Sequence, residues 1–302
     1  MISPVDKMTT AARDSYGSLN ERCALYPFFM RDSFSDIFAI CRSPQKDSHN
    51  QRSVLIIQPF AEEQNKSRRM LSLLQQSLAE QGNSSLIIDL YGTGDSSGEL
   101  RDADLTIWKE NLIAAYKWLQ KEYSHTKTTI IGLRTGALLG AGILNQCQNI
   151  DQIIAWQPVS DFRKYLLQFL RTKIMAEMLS GNRSKSAGEL LQNILDGSKE
   201  KNEEEVAGYI LSARLIKTLI NLNIEEELKQ AGRKISFDLF EICAKEGGLS
   251  MQNSKLLEQI SSTFIKTTSA KIIGSQFWQT QEITELPQLI VATCAKVNCN
   301  DG

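Results

Sequence analysis

Five residues, Gly132-Leu133-Arg134-Thr135-Gly136, stand between the β-branched run Thr128 to Ile131 and an Ala/Leu/Gly-rich segment ending at Leu144. That order reads as a strand, a sharp turn and a buried helix. The glycine spacing is that of the G-x-S-x-G nucleophile elbow, where a strained residue is held out at the end of a strand and glycines let strand and helix approach. The middle residue here is Arg134. A guanidinium stays protonated at physiological pH and cannot attack as a serine hydroxyl does. It can instead grip a phosphate, a carboxylate or a sugar acid through paired N–H donors.

A second charged stretch follows the apolar run Val54 to Pro59. Phe60 to Arg69 holds Glu62, Glu63, Asn65, Lys66, Arg68 and Arg69. Read as the loop after the third strand, it would bring these side chains near Arg134 and Thr135, at the sheet edge where open α/β sheets bind ligands. Two readings stay open. One is a polar pocket for an anionic or carbohydrate ligand, and the other is a buried ion pair of Glu62 or Glu63 with Arg134 that fastens the loop to the turn. As a catalytic alternative, an atypical hydrolase or acyltransferase would use Glu62 or Glu63 to activate a water molecule.

Other candidates are weighed against plainer roles. Asp161, after the sixth strand, and Glu246, after the seventh, stand where an acid would orient a catalytic histidine, or are surface carboxylates. Asp95 and Ser96, in the Gly-rich turn YGTGDSSGE, face the cleft or hydrogen-bond their own turn. Trp278 and Gln279 follow the last strand, where a Ser-His-acid set would need its histidine. The chain has 2 histidines, His49 and His125, which precede the third strand and the elbow strand. Both are at the wrong strand ends for such a site, so with nucleophile and base both missing, a serine-hydrolase mechanism is not expected.

The elements that must position these residues follow from hydrophobic periodicity. ALYPFFMR and DIFAICRSP read as a hairpin, VLIIQP, LIIDL and Gln152 to Trp156 as buried strands, and Ser67 to Gln81 and Thr106 to Glu122 as amphipathic helices. Alternating strand and helix predicts a mostly parallel, doubly wound α/β sheet, with the hairpin as an antiparallel edge. After Ser160 the rhythm becomes helical. The expected organisation is a loose arm over 1–20, a core over 21–160, a helical cap inserted after the sixth strand over 161–230, and a second part of the core over 231–302 with strands at Ile235 to Cys243 and Ser269 to Ile273. Helices are expected at Ser254 to Ile260 and Pro287 to Lys296. In the cap, Phe162 to Leu179 is an amphipathic helix packed on the sheet, or else a stretch that admits an acyl or polyprenyl chain or lies on an anionic membrane. Glu203-Glu204-Glu205 reads as a solvated helix start.

Composition excludes more than it proposes. The 302 residues are 42% hydrophobic, and 34 Lys plus Arg balance 35 Asp plus Glu, so no overall charge argues for nucleic acid. The 6 cysteines show no C-x-x-C and no neighbouring histidine, which argues against zinc and leaves open only a pairing such as Cys294 with Cys299. Gly92-Thr93-Gly94 lacks the third glycine of a dinucleotide fingerprint and no Walker loop is present, so no cofactor is expected. No signal peptide or long apolar run is found, and a cytoplasmic location without an integral membrane segment is expected.

The order of elements, with LIIDLYGTGDSSG ahead of the elbow by one helix, resembles the α/β-hydrolase fold. Pro59-Phe60-Ala61-Glu62-Glu63-Gln64-Asn65-Lys66-Ser67-Arg68-Arg69-Met70, the GLRTGALL turn, and Phe277-Trp278-Gln279 followed by Glu282-Ile283 are similar to the type 2 hydrolase associated with the exosortase A system, from about Tyr26 to Lys296. The resemblance implies a bacterial cytoplasmic protein of the exosortase/PEP-CTERM and exopolysaccharide context, whose elbow carries Arg and whose name reflects fold more than reaction. Within that setting the expected ligand is an anionic carbohydrate or a lipid-linked intermediate at the cleft around Arg134, and the alternative to any ligand is a non-catalytic scaffold whose partner is another protein of the same pathway.

Overall fold

The computed structural model describes residues 23–31, 35–44, 52–123, 127–181, 185–196, 203–261 and 265–299. Eight strands form one sheet: β1 (Cys23–Arg31), β2 (Asp36–Pro44), β3 (Ser53–Ile57), β4 (Ser84–Ile88), β5 (Thr128–Leu133), β6 (Ile150–Trp156), β9 (Ile235–Cys243) and β10 (Ile265–Ile273). Their spatial order is β1-β2-β4-β3-β5-β6-β9-β10. The hairpin β1/β2 is antiparallel and β2 joins β4 antiparallel, whereas the pairs from β4 to β10 are parallel. The mostly parallel sheet with an antiparallel edge is the architecture the sequence predicts.

All five residues of β3, and likewise of β4, are buried. That requires cover on both faces of the sheet, which is why these strands read as unbroken apolar runs. Along β3, Val54 and Ile56 join Met70, Leu74 and Leu78 of α1 (Glu62–Glu80) and Leu289 of α9 (Pro287–Asn298). Leu55 and Ile57 point the other way, into a core with Leu112 and Leu119 of α2 (Leu105–Glu122) and Leu138 of α3 (Thr135–Ala141). The period of two along the strand thus divides the side chains between two cores.

Helix α1 starts at Glu62, five residues before the Ser67 expected from periodicity. The reason is local. Ala61 takes φ 54° and ψ −131°, which turns the chain directly from β3 into a helix, and Glu62 and Glu63 in the first turn favour the helix dipole. The charged stretch Glu62 to Arg69 is therefore helical and not a loop, so its side chains spread around an axis instead of converging.

Between β6 and β9 come α4 (Phe162–Leu179), α5 (Ala187–Leu195), a two-stranded sheet of β7 (Glu203–Val206) and β8 (Tyr209–Ser212), α6 (Ala213–Leu219) and α7 (Ile224–Gln230). The β7/β8 hairpin corrects two expectations: Glu203-Glu204-Glu205 begins a strand, and Val206 to Ser212, inside the stretch expected to be helical, is strand and turn. The left-handed turn Ala207-Gly208, at φ 51° and 85°, closes it. Lys173 of α4 pairs with Glu204 and donates to the Glu205 carbonyl at 3.0 Å, fixing the hairpin to the cap helix. Helix α8 (Met251–Ile260) lies between β9 and β10. Cys294 is buried and Cys299 exposed, and both are free thiols, so the pairing left open for them is absent. The arm over 1–20 and both histidines lie outside the described residues.

Candidate functional site

The turn after β5 keeps the strained geometry of a nucleophile elbow. Arg134 has φ 55° and ψ −116°, a conformation that costs an L-residue about 1–3 kcal/mol. The flanking glycines permit it: a Cβ on Gly132 would stand 2.3 Å from Ala137 Cα, and one on Gly136 would stand 2.2 Å from the Ile57 carbonyl oxygen. The Arg134 amide donates to the Trp156 carbonyl at 2.9 Å, which fixes the turn to the end of β6. Thr135 is fully buried, and its hydroxyl accepts a hydrogen bond from the Phe60 amide at 2.9 Å. That amide, in the segment after β3 where an oxyanion donor would be expected, is thereby occupied.

The Arg134 side chain leaves the turn toward the cap. Its Nε lies 3.4 Å from Glu63 Oε1, with only 13% and 15% of the two side chains exposed, and its terminal nitrogen donates to the Gln157 carbonyl at 3.2 Å. The guanidinium carbon stands 5.9 Å from the Tyr165 ring centre and 5.5 Å from that of Trp278. One carboxylate, one carbonyl and two rings therefore surround it. Gln157, at φ 45°, is itself held by its side chain, which accepts from the Ile242 amide at 2.8 Å.

These groups border a cavity of about 490 Å³ between the sheet edge and the cap, lined by Phe60, Glu62, Glu63, Lys66, Arg134, Tyr165, Gln168, Phe169, Thr172, Ala207, Trp278 and Gln279. The volume is within the range of small-ligand sites. Burial raises the Glu63 carboxyl above its usual range, with Arg134 opposing the shift. Burial also pushes the Tyr165 hydroxyl well above the ordinary phenol value. Two buried polar atoms at this cavity, Glu63 Oε2 and Trp278 Nε1, have no hydrogen-bond partner.

Of the residues expected from sequence, Arg134, Glu62, Glu63, Lys66, Trp278 and Gln279 come together here. Others do not. Arg68 turns to the buried carboxylate of Asp89 at 3.3 Å, and Arg69 pairs with Glu285 at 2.7 Å on the surface. Asn65 donates to the Tyr209 hydroxyl at 3.1 Å, fastening the β7/β8 hairpin to α1. The early start of α1 is the physical reason for this dispersal. Asp95 is exposed, and its amide donates to Asp89 at 3.0 Å, while the Ser96 hydroxyl donates to the Asp89 carbonyl at 2.6 Å and accepts from the Phe38 amide of β2 at 2.9 Å, so both serve the turn and its strand neighbours. Asp161 caps α4 through the Lys164 amide at 3.0 Å, and Glu246 is exposed; neither lines the cavity.

Gln157 and Gln168 carry no signal in the sequence, and Tyr165 and Phe169 enter there only as part of the amphipathic stretch Phe162 to Leu179, not as neighbours of Arg134. Tyr165, Gln168 and Phe169 form one side of an amphipathic helix, where a site face and a packing face have the same pattern. Asp89 was also missed. It is 2% exposed and accepts from Gln58 at 2.8 Å and Gln64 at 2.9 Å, a buried carboxylate satisfied by neutral and charged donors that ties β3, β4 and α1. No group of three His, Cys, Asp or Glu side chains among the described residues is placed to hold a metal ion.

Solved structures similar to this chain share its architecture over nearly their whole length. Est1E from Butyrivibrio proteoclasticus with bound ferulic acid matches at TM-score 0.65 and 16% identity, over 90% of this chain and 98% of that one. DcsB in complex with its substrate analogue matches at TM-score 0.61 and 14% identity, over 92% and 100%. An alpha-beta serine hydrolase homologue from Coxiella burnetii matches at TM-score 0.53 and 12% identity, over 92% and 97%. This chain has the α/β-hydrolase fold. At such identities the likeness is one of fold, and neither a sequence-family model nor a curated protein sequence matches the chain. At the turn after β5 the strained position is held by Arg134, and no histidine is found among the described residues.

Proposed function

We propose that this α/β-hydrolase-fold protein binds the sugar portion of a carbohydrate, or of a lipid-linked carbohydrate, in the cavity at Arg134, and does not perform serine hydrolysis. The carrying observation is that the strained residue after β5 places a guanidinium near the rings of Tyr165 and Trp278 at the cavity wall. A partly exposed aromatic ring beside amides and a carboxylate is what a hydroxyl-rich ring needs, since its C–H face meets Phe169 and its hydroxyls meet Gln168, Gln279 and Glu63. The lining charges, Glu62 and Glu63 against Lys66 and Arg134, balance. This favours a sugar with at most one acidic group over a polyphosphate. The resemblance to the exosortase-associated type 2 hydrolases supports an exopolysaccharide setting and a cytoplasmic site of action. No helix among the described residues is long and apolar enough to cross a membrane.

The test is a thermal-shift screen with uronic acids, sugar phosphates, nucleotide sugars and short acyl esters on wild type and Gln168→Ala. A sugar at a hundredfold its Kd stabilises the wild type by about 2.7 kcal/mol, and Gln168→Ala requires more ligand for the same shift. No shift with any sugar contradicts the proposal.

A second reading rests on Glu63. A buried carboxyl whose Oε2 lacks a partner, with its proton affinity raised by desolvation, is suited to activating a water against a bound ligand. Under this reading the identified sugar compound is cleaved by wild type and not by Glu63→Gln, while both bind it.

A further inference from the structure

Helix α4 has two unlike faces. Phe162, Tyr165, Leu166 and Leu170 are buried against the core, and Phe60 meets Phe162, Tyr165 and Phe169 edge-on at 5.8, 6.2 and 5.8 Å. The opposite face is exposed along its length: Arg163, Lys164, Gln168, Arg171, Thr172, Met175, Met178 and Leu179. At the helical period these positions form one continuous stripe. Met175 is 64% exposed, Met178 65% and Leu179 90%, among the largest apolar exposures in the described chain. The stripe carries no carboxylate. Lys164 makes a loose 3.8 Å contact with Asp161, and Arg163 and Arg171 form no ion pair among the described residues. The acid on the flank, Glu177, faces Lys173 at 3.8 Å.

We infer that this face of α4 is a docking surface for an anionic lipid bilayer, with Met175, Met178 and Leu179 entering the acyl boundary and Arg163, Lys164 and Arg171 meeting headgroup phosphates. The charge pattern decides for lipid: the unpaired Arg163 and Arg171, with Lys164 only loosely paired to Asp161, stand beside exposed flexible apolar side chains with no acid in the stripe, as interfacial binding requires. The placement also bears on the cavity. Gln168 and Thr172 line it, and Met175 and Leu179 continue the same row toward the helix end at i, i+4, i+7 and i+11 spacing. Docking by this end of the helix therefore brings the cavity mouth to the bilayer surface. The docking surface stands independently of which ligand the cavity takes.

The experiment is cosedimentation of the full chain with vesicles of phosphatidylcholine alone and of phosphatidylcholine mixed with phosphatidylglycerol. The variants are Met175→Glu with Met178→Glu and Leu179→Glu, and separately Arg163→Gln with Arg171→Gln. All five positions are exposed, and an unchanged thermal midpoint verifies that each variant folds. The wild type should sediment with the mixed vesicles and only weakly with the neutral ones. Binding should be lost in the triple variant and fall roughly thirty-fold in the arginine pair. Absence of wild-type binding, equal binding to both vesicles, or an unaffected triple variant would overturn the inference. So would a lipid-free dimer, seen in the ultracentrifuge, that the triple variant abolishes, because the patch would then be a protein interface.

Discussion

Arg134 and Glu63 form an ion pair at 3.4 Å in which neither side chain is more than 15% exposed. The pair joins the first turn of the helix after β3 to the turn after β5, the two segments that would shape the catalytic centre of a serine enzyme on this fold. Removing one partner leaves the other as a buried, uncompensated charge. We expect Arg134→Ala and Glu63→Ala each to lose about 3 kcal/mol, and the double variant to lose clearly less than their sum. Urea denaturation of the four proteins measures the coupling, and strict additivity would show that the pair does not interact.

The pH dependence of stability follows from the same carboxyl. Burial raises the folded-state pKa of Glu63 above its unfolded value, so folding is assisted by its proton. That contribution is complete below the ordinary carboxylate range and is lost as pH rises through the raised folded value. Stability of wild type relative to Glu63→Gln should decline across this window, at no more than about 1.4 kcal/mol per pH unit. A difference that is constant with pH, or one that moves in favour of wild type, would contradict the assignment.

Backbone at the elbow should tolerate little. A methyl group at Gly136 has the Ile57 carbonyl oxygen at 2.2 Å, and one at Gly132 has Ala137 backbone atoms at 2.3 Å. Neither neighbour is the movable end of a side chain. Gly136→Ala and Gly132→Ala should each destabilise by roughly 3 kcal/mol, measured by thermal unfolding, whereas Gly181→Ala, with nothing within 4 Å but φ at 75°, should lose only about 1 kcal/mol.

Thiol chemistry divides by burial. Cys41, Cys147 and Cys294 are buried, and desolvation pushes each thiol up to about 12. An alkylating reagent at neutral pH should modify Cys299 in the native protein and reach these three only after unfolding. Mass spectrometry of labelled peptides reads the order directly, and early labelling of Cys147 would contradict the packing described.

The sheet was legible in the sequence because its central strands are covered on both faces, and continuous apolar runs such as VLII can serve little else. The elbow was legible too, since Gly132 and Gly136 are fixed by close backbone approach. The pocket was only half legible. The sequence offers Glu62 or Glu63 as a partner of Arg134 without choosing between them, and the fold pairs it with Glu63; the sequence also groups Arg68 and Arg69 there, because the onset of α1 depends on the left-handed turn at Ala61, a conformation that alanine does not announce. The β7/β8 hairpin was hidden likewise: Glu203-Glu204-Glu205 has a helical composition, and the partner strand Tyr209–Ser212 and the Lys173 contacts that make it a strand are tertiary. Tyr165 needed the fold itself, since its place against Arg134 cannot be told from ordinary packing by its helical spacing.

The central claim is that the elbow residue has become part of a sugar-binding wall. Arg134→Lys tests it with least disturbance, because lysine keeps the charge that faces Glu63 while losing the planar, multidentate guanidinium near Tyr165 and Trp278. Titration calorimetry with the most stabilising sugar should show about a tenfold or greater loss of affinity, near 1.4 kcal/mol, with the thermal midpoint of the free protein little changed. Equal affinity in wild type and Arg134→Lys would contradict the claim and place the ligand away from the elbow.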